Sequence, residues 1–128
     1  MHVFKNKAFS RFADRNEISD GDLCNAVQRV SQGLIDADLG GGVIKQRIAR
    51  KSEGRSGGFR AMILVKAENR AVFVHGFAKK DLGNISPKEL KALKKLAKIV
   101  LGYSDAQIAT VVASGTLVEV KCNGKAVS

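Results

Sequence analysis

The chain is poor in the patterns from which chemistry is usually read. Its two cysteines, Cys24 and Cys122, lie far apart, with no CxxC pair and no nearby Cys/His ligand set. Neither a zinc site nor a disulfide framework is indicated, and reduced thiols are expected. Cys24 falls on the apolar side of an expected helix, the place of a small core residue. There is no paired-acid motif, Ser/His/Asp set or metal-ligand cluster. The glycines of LGGGV and GRSGG precede strands rather than opening a helix as a phosphate loop does. No apolar run approaches the ~20 residues of a membrane span. The start, MHVFKNKAFSRF, lacks the apolar segment and cleavage site of a signal peptide. A cytoplasmic protein with no cofactor and no membrane partner is expected. Internal repeats, low-complexity tracts and a domain linker are also missing.

Positive charge, by contrast, is abundant. The 128 residues include 22 Lys and Arg against 12 Asp and Glu, a formal net charge of +10 with a pI near 10.0. Polyphosphates attract such proteins through counterion release and steer their encounter, so a nucleic acid or an acidic protein is the expected partner. The length fits a single domain, 1–128, with a real core. A hydrophobic share of 45% with 27% charged residues argues against disorder.

HVFKNKAFSRFADR suggests a short strand leading into a short helix. In ISDGDLCNAVQRVSQGL, Ser19 can N-cap with Asp22 three residues on. Leu23, Ala26, Val27 and Val30 share one face, and Gly33 closes the end. DADLGGG reads as a turn. Residues 43 to 51, 59 to 67 and 70 to 78 read as strands, joined by links short enough for an antiparallel meander. FRAMILVKA and RAVFVHGFA are almost continuously apolar, which suits central strands covered on both faces. SPKELKALKKLAKIVLG carries Ser86 as N-cap, Pro87 at the first helical position, Glu89 as capping-box partner and Gly102 at the end. Its lysines lie mostly away from its leucine stripe. A last short helix precedes TLVEVKC, a final strand or extended tail.

The charge is concentrated. From Lys45 to Lys80 there are ten bases, Lys45, Arg47, Arg50, Lys51, Arg55, Arg60, Lys66, Arg70, Lys79 and Lys80, against Glu53 and Glu68. Strand alternation puts Lys45 and Arg47 on one face and Ile44 and Ile48 on the other. One reaction needing neither metal nor carboxylate is cleavage of RNA by its own 2'-hydroxyl. It requires in-line orientation of that hydroxyl, removal of its proton, stabilisation of the phosphorane and protonation of the leaving 5'-oxygen. Arg and Lys suffice, because a lysine crowded by cations gives up its proton more readily while Arg stays charged.

The chain resembles the RelE/HigB-like toxins of bacterial type II toxin-antitoxin systems, in the RelE/ParE superfamily. The likeness runs from about residue 1 to 123, through ISDGDLCNAV, GLIDADLGGGVIKQRIAR, GRSGGFR and FVHGFAKKDLGNI. It implies an α+β class and a compact RelE-like fold, an antiparallel sheet packed against helices. It also implies an mRNA endoribonuclease (mRNA interferase) working on the ribosome. The partners it implies are mRNA, the ribosome and a co-encoded antitoxin, a helix-turn-helix protein. The family's paired basic positions fall on Lys45 and Arg47, the arginine of its GGYR-like motif on Arg60, and its last basic position on Lys79 or Lys80. The roles that follow are Lys45 as general base or hydroxyl activator, Arg47 and Arg60 as phosphate clamps, and Lys80 or Lys79 as leaving-group acid. Arg50, Lys51 and Arg55 are read as RNA-binding grips.

RelE carries a tyrosine shortly after the last basic position, whereas DLGNIS has none and Tyr103 lies beyond the helix. Related HigB toxins use His and Asp. Here His75, inside an apolar strand, is read as a satisfied interior histidine, and Asp81 as neutralising Lys79 and Lys80. Two other functions would use the same cations: a noncatalytic nucleic-acid or ribosome-binding module, and a ParE-like toxin that poisons gyrase. The Lys45, Arg47 and Arg60 set favours cleavage over the latter.

Overall fold

The computed structural model describes residues 1–49, 58–78 and 85–122. At the start of the chain, β1 (His2–Asn6) runs directly into α1 (Lys7–Arg15), and Asn6 serves both. Its side-chain oxygen accepts the Phe9 N–H at 2.8 Å, satisfying a donor that the helix cannot pair itself, while its Nδ2 donates to the Val74 carbonyl at 3.2 Å. The second helix, α2 (Asp20–Ser31), opens with the expected capping box. Asp22 N–H donates to Ser19 Oγ at 3.1 Å, and Ser19 N–H to the Asp22 carboxylate at 3.0 Å. Its buried face is Leu23, Ala26, Val27 and Val30, spaced to cover a sheet.

The stretch read as a turn contributes a short strand, β2 (Ala37–Gly40), before the turn proper. Gly40, Gly41 and Gly42 all take positive φ there, and a side chain on Gly41 would come within 2.9 Å of Lys94. The meander follows as expected: β3 (Val43–Ile48), β4 (Phe59–Lys66) and β5 (Arg70–Ala78). Then come α3 (Pro87–Val100), capped by Ser86, α4 (Asp105–Ala113) and β6 (Leu117–Glu119).

The six strands form one sheet in the order β2-β3-β4-β5-β1-β6. The class is α+β, as the sequence suggested. Every pairing is antiparallel except β1 with β5, which is parallel from His2 opposite Arg70 to Lys5 opposite Phe73. Helices α1 and α2 cover one face through Phe9, Ala13, Leu23 and Val27 on Ile44, Ile48, Ile63 and Phe73. On the other face, Ala97 and Val100 of α3, with Ile108, Val111 and Val112 of α4, pack on Phe4, Val43, Leu64 and Val72. Both faces of β4 and β5 are therefore buried, which is why their sequences hardly alternate.

The cysteines depart from expectation, because Cys24 and Cys122 are disulfide-bonded. Pairing of β6 with β1 carries the chain past the start of α2: Val120 N–H donates to the Val3 carbonyl at 2.9 Å, and Lys121 N–H to Asp20 at 2.9 Å. The other Asp20 oxygen accepts Lys5 Nζ at 3.2 Å. Cys122 thus arrives with its Cα 5.7 Å from that of Cys24, within bridging range. The pair is 98 residues apart in sequence, so spacing along the chain carries no trace of it.

One cation of the basic stretch has a structural task. Arg70 is buried, and its Nη1 donates to the Val100 and Tyr103 carbonyls at 2.9 and 3.0 Å, closing the C-terminus of α3. No single described helix is long and apolar enough to cross a membrane.

Candidate functional site

The register of the meander builds the site. Val43, Leu64, Val72 and Phe4 lie side by side across the sheet on the α3 face. Two residues along β3, Lys45 stands between Ala37 of β2 and Met62 of β4, and beyond Met62 lies His75 of β5. Two residues further, Arg47 is directly opposite Arg60, and Arg60 is opposite Phe77. A step of two keeps the same face, so Lys45, Arg47, Arg60, His75 and Phe77 continue the face on which α3 sits. His75 is exposed and the other four are half-buried. Ile44 and Ile48 point into the opposite core, as expected.

Between those isoleucines lies Gln46, fully buried and unflagged by its sequence context. It accepts the Asp36 N–H at 3.0 Å and donates to the Leu34 carbonyl at 2.9 Å, pinning the segment before β2 to β3. That brings the Asp36 carboxylate within 2.6 Å of the Arg47 backbone nitrogen.

Arg47 and Arg60 form a directly opposed cross-strand pair, with Cα atoms about 4.5–5.5 Å apart. Like charges so placed oppose the fold rather than support it. The Nη1 of Arg60 is buried with no hydrogen-bond partner among the described residues, and a buried guanidinium nitrogen calls for an acceptor. A phosphate, with several oxygens and negative charge, would supply an acceptor to that nitrogen and offset the charge of the pair.

His75 is not the interior histidine expected from its apolar surroundings. The register of β4 and β5 slips at Met62/Ile63, so that Ile63 faces Phe73 while Met62 faces His75. This bulge turns the imidazole outward. Lys79 and Lys80, the residues Arg50, Lys51 and Arg55 expected to grip RNA, and Asp81 lie outside the described residues. Tyr103 is half-buried against the α3 side of the core and offers its carbonyl to Arg70.

A cavity of about 580 Å³ lies elsewhere, between α4 and the β1/β6 end, lined by Phe4, Ile108, Val112 and Arg70 among others. Arg70 is already engaged there. The cavity lining is mostly apolar and includes Asp105 and Glu119, whereas a polymer backbone needs a cationic surface, so the β3–β5 face is the better candidate. Among the described residues, no three His, Cys, Asp or Glu are grouped to hold a metal.

The family model described as the RelE toxin of the RelE / RelB toxin-antitoxin system matches residues 1–120. No match to a curated protein was found.

Proposed function

The chain belongs to the RelE toxin family, and on that premise we propose that it is a metal-independent endoribonuclease that cuts mRNA on the ribosome. A co-encoded helix-turn-helix antitoxin restrains it by covering or distorting the basic face. The observation that carries the proposal is the opposed pair Arg47 and Arg60, with Lys45 two residues away on the same face.

In the proposed reaction Lys45 takes the proton of the 2'-hydroxyl, whose oxygen attacks the adjacent phosphorus. Arg47 and Arg60 hold the non-bridging oxygens and stabilise the added charge of the phosphorane. The bond from phosphorus to the 5'-oxygen breaks, and that oxygen takes a proton from Lys80 or Lys79. The products are a 2',3'-cyclic phosphate and a free 5'-hydroxyl. DNA has no 2'-hydroxyl and is not cut this way.

The test is expression in a bacterium of the wild type and of a Lys45→Ala/Arg60→Ala variant, with transcript ends mapped and the fold of both proteins checked by unfolding. Wild type should arrest growth and produce mRNA ends within codons, while the folded variant does neither. Growth arrest with intact transcripts would overturn the proposal.

A further inference from the structure

Strand alternation from Ala71, Val72 and Phe73 would put His75 beside Phe73, under α1 and α2. The bulge reverses this. Val74 and His75 together oppose the single residue Met62, so everything after them changes sides. Phe77 accordingly joins Val72 and Val74 on the α3 side of the core, whereas Gly76 lies directly under the Phe12 ring of α1. Asn6, held as the N-cap of α1, ties down the Val74 carbonyl and with it the bulge.

Bulges beside functional sites commonly re-aim a side chain. The one re-aimed here is an exposed imidazole whose ring centroid is 5.9 Å from that of Phe77, with planes 33° apart. Two neighbouring rows across the sheet thus read Lys45, Met62, His75 and Arg47, Arg60, Phe77. Cations stand on β3 and β4, and two rings on β5, one or two strand spacings of about 4.8 Å away. Single-stranded RNA presents the complementary pair of chemistries, a phosphate in each nucleotide and an unstacked base beside it.

We infer that His75 and Phe77 form the platform on which an unpaired RNA base stacks while Arg47 and Arg60 hold the neighbouring phosphate. The two rings then set which base is accepted next to the bond that is cut. The inference rests on the RNA-cleavage proposal above. It uses the face of the imidazole, not its proton.

The experiment compares transcript ends in cells expressing the wild type, His75→Phe, His75→Gln and His75→Ala. Unfolding midpoints of the purified chains should be unchanged, because His75 is exposed. His75→Phe should keep cutting with a similar base preference. His75→Gln and His75→Ala should cut roughly 5- to 150-fold less, the range that one base stack carries, with a flattened base preference at the ends. Full activity in Gln with loss in Phe would assign the imidazole a polar role and overturn the inference. So would unchanged ends and rates in His75→Ala. A wild type that leaves transcripts intact would remove the RNA-cleavage proposal itself, and this inference with it.

Discussion

Gly76→Ala tests the packing that sets the aim of β5. Gly76 has no left-handed backbone to excuse it, and at such a position alanine ordinarily stabilises by about 0.4–1 kcal/mol, through the unfolded chain. Here the added methyl would overlap the Cδ2 and Cε2 atoms of Phe12. Phe12 has little room to retreat, since its ring centroid is 5.6 Å from that of Phe9 and 5.6 Å from that of Phe59, the latter edge-on. Retreat would weaken contacts that are each worth about 0.5–1.5 kcal/mol. Overpacking therefore outweighs the entropic gain, and the net loss should be about 1–3 kcal/mol. Urea unfolding of the oxidised protein should show a midpoint lower by on the order of 1 M, given slopes of about 1–3 kcal/mol per molar. In a Phe12→Leu background the same methyl should be largely tolerated, which a double-mutant cycle would measure as coupling between the two positions. A Gly76→Ala protein as stable as the wild type would mean that Phe12 does not seat on β5.

Arg60→Gln should abolish cleavage yet leave the free protein as stable as before or up to ~1 kcal/mol more stable, because a like-charged pair is relieved. Heparin should then raise its melting temperature less than that of the wild type, and marked destabilisation of the free variant would assign Arg60 a structural role instead. Reduction of the disulfide, or Cys24→Ser, should lower unfolding stability by about 2–4 kcal/mol, since the bridge closes a loop of 98 residues. Reductant should have no effect on the serine variant, and wild-type stability that ignores reductant would refute the clasp.

What the sequence discloses is what neighbours decide. The capping residues Ser19 and Ser86, the helix faces and the three meander strands are set by spacings of two to four residues, and they are where the pattern puts them. The common face of Lys45 and Arg47 is legible for the same reason. Arg60 is legible as a cation on the next strand, but its position opposite Arg47 depends on the register between the two strands. Features that depend on distant partners are hidden. Arg70 counts in the sequence as one more surface cation, yet it closes a helix 30 residues downstream. The Cys24–Cys122 bond and the parallel insertion of β1 leave no local signature. His75 shows the limit most plainly: its neighbours in sequence are apolar, and only the slip in pairing with β4 takes it out of the core.

The parallel seat of β1 also has a consequence in time. The residues of β1 are made before all their partners, Arg70 to Phe73 on one side and Leu117 to Glu119 on the other. While the chain is being synthesised, its first strand has no edge to join until β5 exists, and the strand that flanks it comes last. The hairpins of the meander connect near neighbours and wait for nothing so remote. A growing chain can therefore complete its cationic meander, and seat β1 on β5, before β6 has been made to flank them.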